Sequence, residues 1–158
     1  MKRGLATPPV SGAVKRTAAR STNPDGSAIA DVIRQAMQAS DTKLEQIAAL
    51  KAHGTASMLN DEGEVAGLRR VFERAPTLCA LKPYVGHTFG ACGVVELALF
   101  AASLDRGTLP ATPGICASDS DLNVVLNQER RMQGPGRFML NYFGFGGSNT
   151  SLVVANDA

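Results

Sequence analysis

Residues 78–104 read LCALKPYVGHTFGACGVVELALFAASL: a short apolar run, a glycine-punctuated turn and a long apolar stretch. Leu78 to Leu81 has the length of a buried strand, and Gly86 and Gly90 break the chain after it. From about Ala91 to Leu104 every residue is small or apolar except Glu96. That length suits a helix rather than a strand. A helix apolar nearly all round is expected to be covered on every side, in part by layers this chain does not supply. Strand, turn and helix in this order are the building unit of layered α/β folds.

The flanks continue the alternation. Asn23-Pro24-Asp25-Gly26 is a turn, after which Ser27 is placed to cap a helix through Ala39, with Ile29, Val32, Ile33, Ala36 and Met37 at helical spacing. Leu44 to Lys51 is a short apolar run that ends at His53-Gly54-Thr55. Asn60 or Asp61 can cap the next helix, and Glu64, three after Asp61, fits a capping box. Val65, Leu68, Val71 and Phe72 form the apolar stripe of that helix. Residues 107–136 are irregular. Phe138–Tyr142 and Ser151–Ala155 read as strands joined by a glycine-rich hairpin or loop over 143–149. The expected fold is an α/β layered domain with a mixed, mostly parallel sheet, helices on both faces and a C-terminal β-hairpin.

Composition sets the class. The chain has 158 residues, 44% hydrophobic and 19% charged, as in ordinary globular domains. Its net charge of +2 is uneven: Lys2, Arg3, Lys15, Arg16 and Arg20 face no acid within residues 1–23. Those residues read as a loop or disordered arm, with residues 24–158 as the domain. A basic arm can bind nucleic acid or an acidic partner, but charge spacing alone favours a solvated tail. Cys79, Cys92 and Cys116 make an odd count without paired spacing, so neither a disulfide framework nor a metal site is expected. No membrane span or secretory signal is read, and a reducing, cytoplasmic setting fits.

Three segments can carry chemistry. His53 follows a buried run and precedes a glycine turn, where α/β folds place reactive groups; it can equally just satisfy the turn. His87 sits at the start of the apolar helix, whose positive end would favour a neutral imidazole able to donate to a developing oxyanion. Lys82 and Glu96 would have to pair if buried; the alternative is a surface lysine and a core histidine. Asn141-Tyr142-Phe143-Gly144-Phe145-Gly146-Gly147 allows close backbone approach to a ligand, or simply a tight hairpin. No Gly-Lys-Ser/Thr follows, so it is not a phosphate loop.

Taken in order, His53-Gly54-Thr55 with Asn60-Asp61, then Lys82 and Gly86-His87 before Gly90-Ala91-Cys92-Gly93, then Asn141 to Asn149, resemble the C-terminal half of the β-ketoacyl (3-oxoacyl-acyl-carrier-protein) synthases over roughly residues 24–155. These are condensing enzymes of fatty-acid and polyketide synthesis with the thiolase-like fold. The resemblance implies that His53 and His87 hold a malonyl thioester carbonyl and stabilise its enolate, supported by Lys82 and Glu96. It implies an oxyanion-hole N–H from Phe145, whose ring gates an acyl channel walled by Phe143, Gly144 and Gly146. Thr55 and Ser57 would line the tunnel for the phosphopantetheine arm of acyl carrier protein, with Asn60, Asp61 and Asn141 structural. No bound cofactor or metal is implied.

The family's cysteine nucleophile belongs to its N-terminal half, which these residues do not contain, and Cys92 is not expected to replace it. The resemblance therefore implies a partner bearing that cysteine, acyl carrier protein, and a dimer, with no nucleic acid or membrane partner. The alternative is a non-catalytic, chain-length-factor-like subunit or a truncated remnant. Thiolase itself fits less well, since its C-terminal half ends on a Cys-x-Gly segment and this one on Phe-Gly-Phe-Gly-Gly.

Overall fold

The computed structural model describes residues 10–16, 24–115 and 124–157. Strand β1 (Val10–Arg16) leads into helix α1 (Ser27–Ala39), strand β2 (Ile47–Lys51), helix α2 (Met58–Arg69) and strand β3 (Thr77–Cys79). A single helical turn, α3 (Lys82–Val85), precedes α4 (Cys92–Leu104). Strands β4 (Thr108–Leu109) and β5 (Arg131–Met132) pair with each other across the stretch read as irregular. Strands β6 (Gly136–Gly144) and β7 (Ser148–Asn156) close the chain as a hairpin around a three-residue turn, longer than the two strands read from sequence.

The main sheet runs β1-β7-β6-β2-β3. Strand β2 is parallel to β3 and β6, whereas β7 is antiparallel to both β6 and β1. Four of the five strands therefore share one direction. Strand β1 corrects the reading of residues 1–23 as a loop arm; the other residues of that arm lie outside the described ones. Its sequence has no sustained alternation, so side-chain pattern does not announce it. Backbone pairing does, from Val10 opposite Val154 to Arg16 opposite Ser148.

Helices cover both faces. Ile29, Val32 and Ile33 of α1 and Leu68 of α2 pack on Leu50, Leu78, Met139 and Val153. On the other face, Phe100 and Leu104 of α4 pack on Ala49, Phe138, Leu140 and Val154. Burying such side chains is worth about 1.5–3 kcal/mol each. Helix α4 is covered on one side only: Val94 is 75% and Leu99 41% exposed. The chain thus supplies one of the layers expected around this helix and leaves its other side open.

Two helix starts differ from expectation. Helix α1 begins at Ser27, with Gly26 before it and the Asp25 carboxylate accepting the Ser27 N–H at 2.8 Å, so Asp25 does the capping. Helix α2 begins at Met58, ahead of Asn60 and Asp61, and Glu64 leaves the proposed capping box for the interior. The two helices meet at glycines. A Cβ on Gly26, whose φ is +69°, would lie 2.1 Å from the Gly67 nitrogen, and one on Gly67 would lie 2.5 Å from Ile29 Cγ2.

Candidate active site

Strand β2 delivers the first histidine. Its alternation sends Leu50 and Ala52 toward α1 and α2, while Lys51 and His53 face α4. The backbone N–H groups of His53 and Gly54 donate to Glu64 at 3.0 and 3.2 Å, and Glu64 Oε1 also accepts from Asn141 Nδ2 at 3.2 Å. Asn141 Oδ1 accepts from Ser151 at 2.9 Å. The end of β2 is thus tied to α2, β6 and β7. Burial pushes the Glu64 carboxyl up, against the pull of these donors.

Beyond His53 the chain turns through Gly54 (φ +51°) and Ala56 (φ +58°). A left-handed alanine costs about 1–2 kcal/mol, and the surroundings hold it. The Asp61 carboxylate accepts the Ala56 N–H, while Asn60 Nδ2 donates to Thr55 Oγ1 at 3.1 Å and Ser57 Oγ at 2.9 Å. Beneath this turn lies an apolar cavity of about 260 Å³ between α2, β3 and residues 112–115, which neither histidine lines.

Helix α3 carries Lys82 into the same interior. Its Nζ lies 3.0 Å from Glu96 Oε1, donates to the His53 carbonyl, and stands 3.4 Å from His53 Nδ1. An ammonium has only donors, so Nδ1 is the acceptor and the ring proton sits on Nε2. His53 is 4% exposed. Burial, then the charges of Lys82 and Lys51, push its pKa down to about 3, so it is neutral at working pH.

His87 lies near, its ring centroid 5.8 Å from that of His53 and nearly perpendicular to it. It is not at the start of α4: a 3-10 turn over Phe89–Ala91 intervenes, so the helix-dipole argument does not reach it. Instead the Phe89 N–H donates to His87 Nδ1 at 3.0 Å, with Phe89 left-handed (φ +46°) and its ring stacked on the imidazole. Again Nε2 is left as the proton-bearing nitrogen of the neutral ring.

Glu96 receives two lysines. Lys51 Nζ is 2.5 Å from Oε2, Lys82 is on Oε1, and Cys92 donates to Oε1 at 3.1 Å. Burial would raise the Glu96 carboxyl, but Lys51 above all, with Cys92 and Lys82, holds it below the usual range. Cys92 is the reverse: burial and the Glu96 bond push its thiol up, and burial pushes Cys79 to about 12. Both thiols are thereby held toward the protonated form; Cys116 lies outside the described residues.

The turn between β6 and β7 spans Phe145–Gly147, with Gly146 at φ +78°. Phe143, the penultimate residue of β6, is buried with its ring 5.4 Å from His53. The Phe145 side chain lies outside the described ones. Structure therefore brings His53, Lys82, His87, Glu96 and Phe143 together, and groups Thr55 and Ser57 of the adjoining turn with Asn60 and Asp61 of the first turn of α2. Two members were not anticipated. Lys51 shows as a charge closing a buried strand, two residues before His53 and so on its face. Glu64 was hidden by its fit to a capping box.

Two imidazoles with Nε2–H, a buried lysine–glutamate cluster and a glycine turn sit on a layered sheet with helices on both faces, the arrangement of a thiolase-like half-domain. Residues 10–115 match the family model for the β-ketoacyl synthase C-terminal domain. The 3-oxoacyl-[acyl-carrier-protein] synthase 2 of Vibrio cholerae is 34% identical over 139 residues, covering 84% of this chain and 34% of that protein. The actinorhodin polyketide putative β-ketoacyl synthase 1 of Streptomyces coelicolor is 30% identical over 134 residues, covering 82% and 29%. Among solved structures, the ishigamide ketosynthase/chain length factor superposes with TM-score 0.84 at 27% identity over 93% of this chain and 37% of that one. The chain belongs to the β-ketoacyl synthase family, as its C-terminal domain. It spans about a third of the length of these relatives. Among the described residues no helix is long and apolar enough to cross a membrane.

Proposed function

We propose that this domain supplies the decarboxylation half of a β-ketoacyl synthase site. The observation that supports this most is the histidine pair, 5.8 Å apart, each with Nδ1 occupied by a donor. Both rings then offer Nε2–H to one anionic oxygen. In the proposed step the malonyl carboxylate leaves as carbon dioxide, and the electron pair of the broken C–C bond moves into the thioester, whose oxygen becomes an enolate. His53 and His87 stabilise that oxygen by fixed hydrogen-bond donors. The enolate carbon then attacks an acyl thioester, forming the new C–C bond and expelling a cysteine thiolate. That cysteine comes from an N-terminal half outside these 158 residues. The Phe145 N–H belongs to the oxyanion hole of this second step, and Phe143, Gly144 and Gly146 wall the acyl channel. Thr55 and Ser57, oriented by Asn60, line the path of the phosphopantetheine arm of acyl carrier protein.

The test pairs this chain with an N-terminal half of a 3-oxoacyl-acyl-carrier-protein synthase and follows carbon dioxide release from malonyl-acyl carrier protein. Release is expected, and His87→Ala should lower it about 10²–10³-fold, the cost of one oxyanion donor. Unchanged release in His87→Ala would refute the role. Assembly without release would favour a non-catalytic, chain-length-factor-like partner.

A further inference from the structure

Lys51 takes no part in the chemistry above, yet it is fully buried. A buried ammonium costs several kcal/mol unless its donors are satisfied, and these are. Nζ meets Glu96 Oε2 at 2.5 Å, the Asn141 carbonyl at 2.8 Å and the face of the Tyr142 ring at 3.7 Å from its centroid. Three donors with three partners leave none for a substrate, so any influence of Lys51 on the reaction must pass through a neighbour.

Glu96 is that neighbour. Its two oxygens are divided, Oε2 to Lys51, Oε1 to Lys82 and Cys92. A carboxylate with both oxygens open would draw Lys82 between them. With Oε2 taken, Lys82 stays on Oε1, where its remaining hydrogens reach the carbonyl and Nδ1 of His53. We propose that Lys51 is a positioning residue: by holding Oε2 of Glu96 it confines Lys82 to Oε1 and so sets Lys82 against the ring of His53. Its role in catalysis rests on the reading of His53 as an enolate donor; the geometric claim does not.

The charged and titratable groups around this relay are few. Glu96 and Cys92 face it from α4, Lys82 from α3, His87 from the following loop, Glu64 from α2, Cys79 from β3 and Tyr142 from β6. Burial outweighs the attraction of Glu96 and lowers the Lys51 pKa to about 8. Neutralising Lys51 within an accessible pH range should therefore release Glu96 Oε2 and draw Lys82 off His53.

The full chain has two histidines, so ¹⁵N labelling yields only two imidazoles to follow. The His53 Nδ1 resonance, which reads its hydrogen bond from Lys82, should step with the same midpoint as Lys51 Nζ. A His53 signal flat through the Lys51 midpoint would overturn the proposal. Lys51→Met keeps the stem without the charge, and at neutral pH should show the Nδ1 shift that the unaltered chain reaches only above that midpoint. Lys51→Arg should keep the original shift. A merely space-filling lysine predicts no change in either variant, and where Lys51→Met does not fold, the titration of the unaltered chain decides. In the assembled enzyme Lys51→Met should lower kcat about tenfold at unchanged KM, as loss of a supporting residue does. Absent decarboxylation in every form would sink the proposed function while leaving the titration result standing.

Discussion

The Glu64 carboxylate accepts from the backbone of His53 and Gly54 and from Asn141, and so fixes where β2 ends and where His53 begins. Glu64→Gln turns one of those acceptors into a donor. The orphaned N–H should cost about 1–3 kcal/mol, read as a lower urea midpoint. The cost depends on pH. Burial raises the folded-state pKa of Glu64 above its ordinary 4.5. The contribution of this group is therefore full below 4.5 and declines as pH rises through the folded value. The urea curves of the two proteins should converge as pH rises from about 4.5; divergence would mean that the carboxylate, not the acid, is the form the fold prefers. At this scale much was legible: His53, Lys82, His87 and Glu96 each stand in a segment whose glycines and apolar neighbours advertise it. Lys51 was not, because a lysine ending an apolar run ordinarily turns to solvent, and only the packing of α4 over β2 puts a carboxylate against it.

At the scale of elements, α1 and α2 touch where neither has a side chain to spare. Gly67 sits inside α2, where alanine would gain about 1 kcal/mol in helix propensity. Against that, its Cβ would lie 2.5 and 2.7 Å from two atoms of Ile29, and overpacking of this kind costs about 1–3 kcal/mol. Packing should win, so Gly67→Ala should lower the thermal midpoint. Ile29→Ala in the same chain should cost less than it does alone, a coupling a double-mutant cycle reads directly. A stabilised Gly67→Ala would show that the helices part without penalty. Helical periodicity made α1, and the length of a mostly apolar run made α4, readable to within a residue or so. The start of α2 and the whole of β1 were not, since one depends on how Ser57 leaves the site turn and the other on a neighbouring backbone edge.

For the whole molecule the exposed face of α4 and the turn before it matter most. Phe89 is 80% exposed, and Val94 and Leu99 of α4 are exposed as well. Apolar surface of this kind, with Phe89 stacked on His87, marks an interface, and the N-terminal half of the proposed synthase is the partner it suits. Val94→Asp with Leu99→Asp should keep the chain's cooperative unfolding but stop it co-purifying with that half; undiminished recovery would place the interface elsewhere. The order of the sheet has a further consequence, in time rather than space. Strands β6 and β7 are neighbours along the chain and need only a three-residue loop to close, so their pairing is kinetically cheap. Strand β2 must slot between β6 and β3 from far away in sequence, with Lys51 opposite Leu140, and distant pairings of this sort are late events. His53 depends on that insertion directly, and His87, whose ring lies against that of His53, depends on it through His53. A half-folded chain would thus own its glycine hairpin before Lys51 meets Glu96 or Lys82 meets His53, and that buried cluster would assemble all at once, with the last strand.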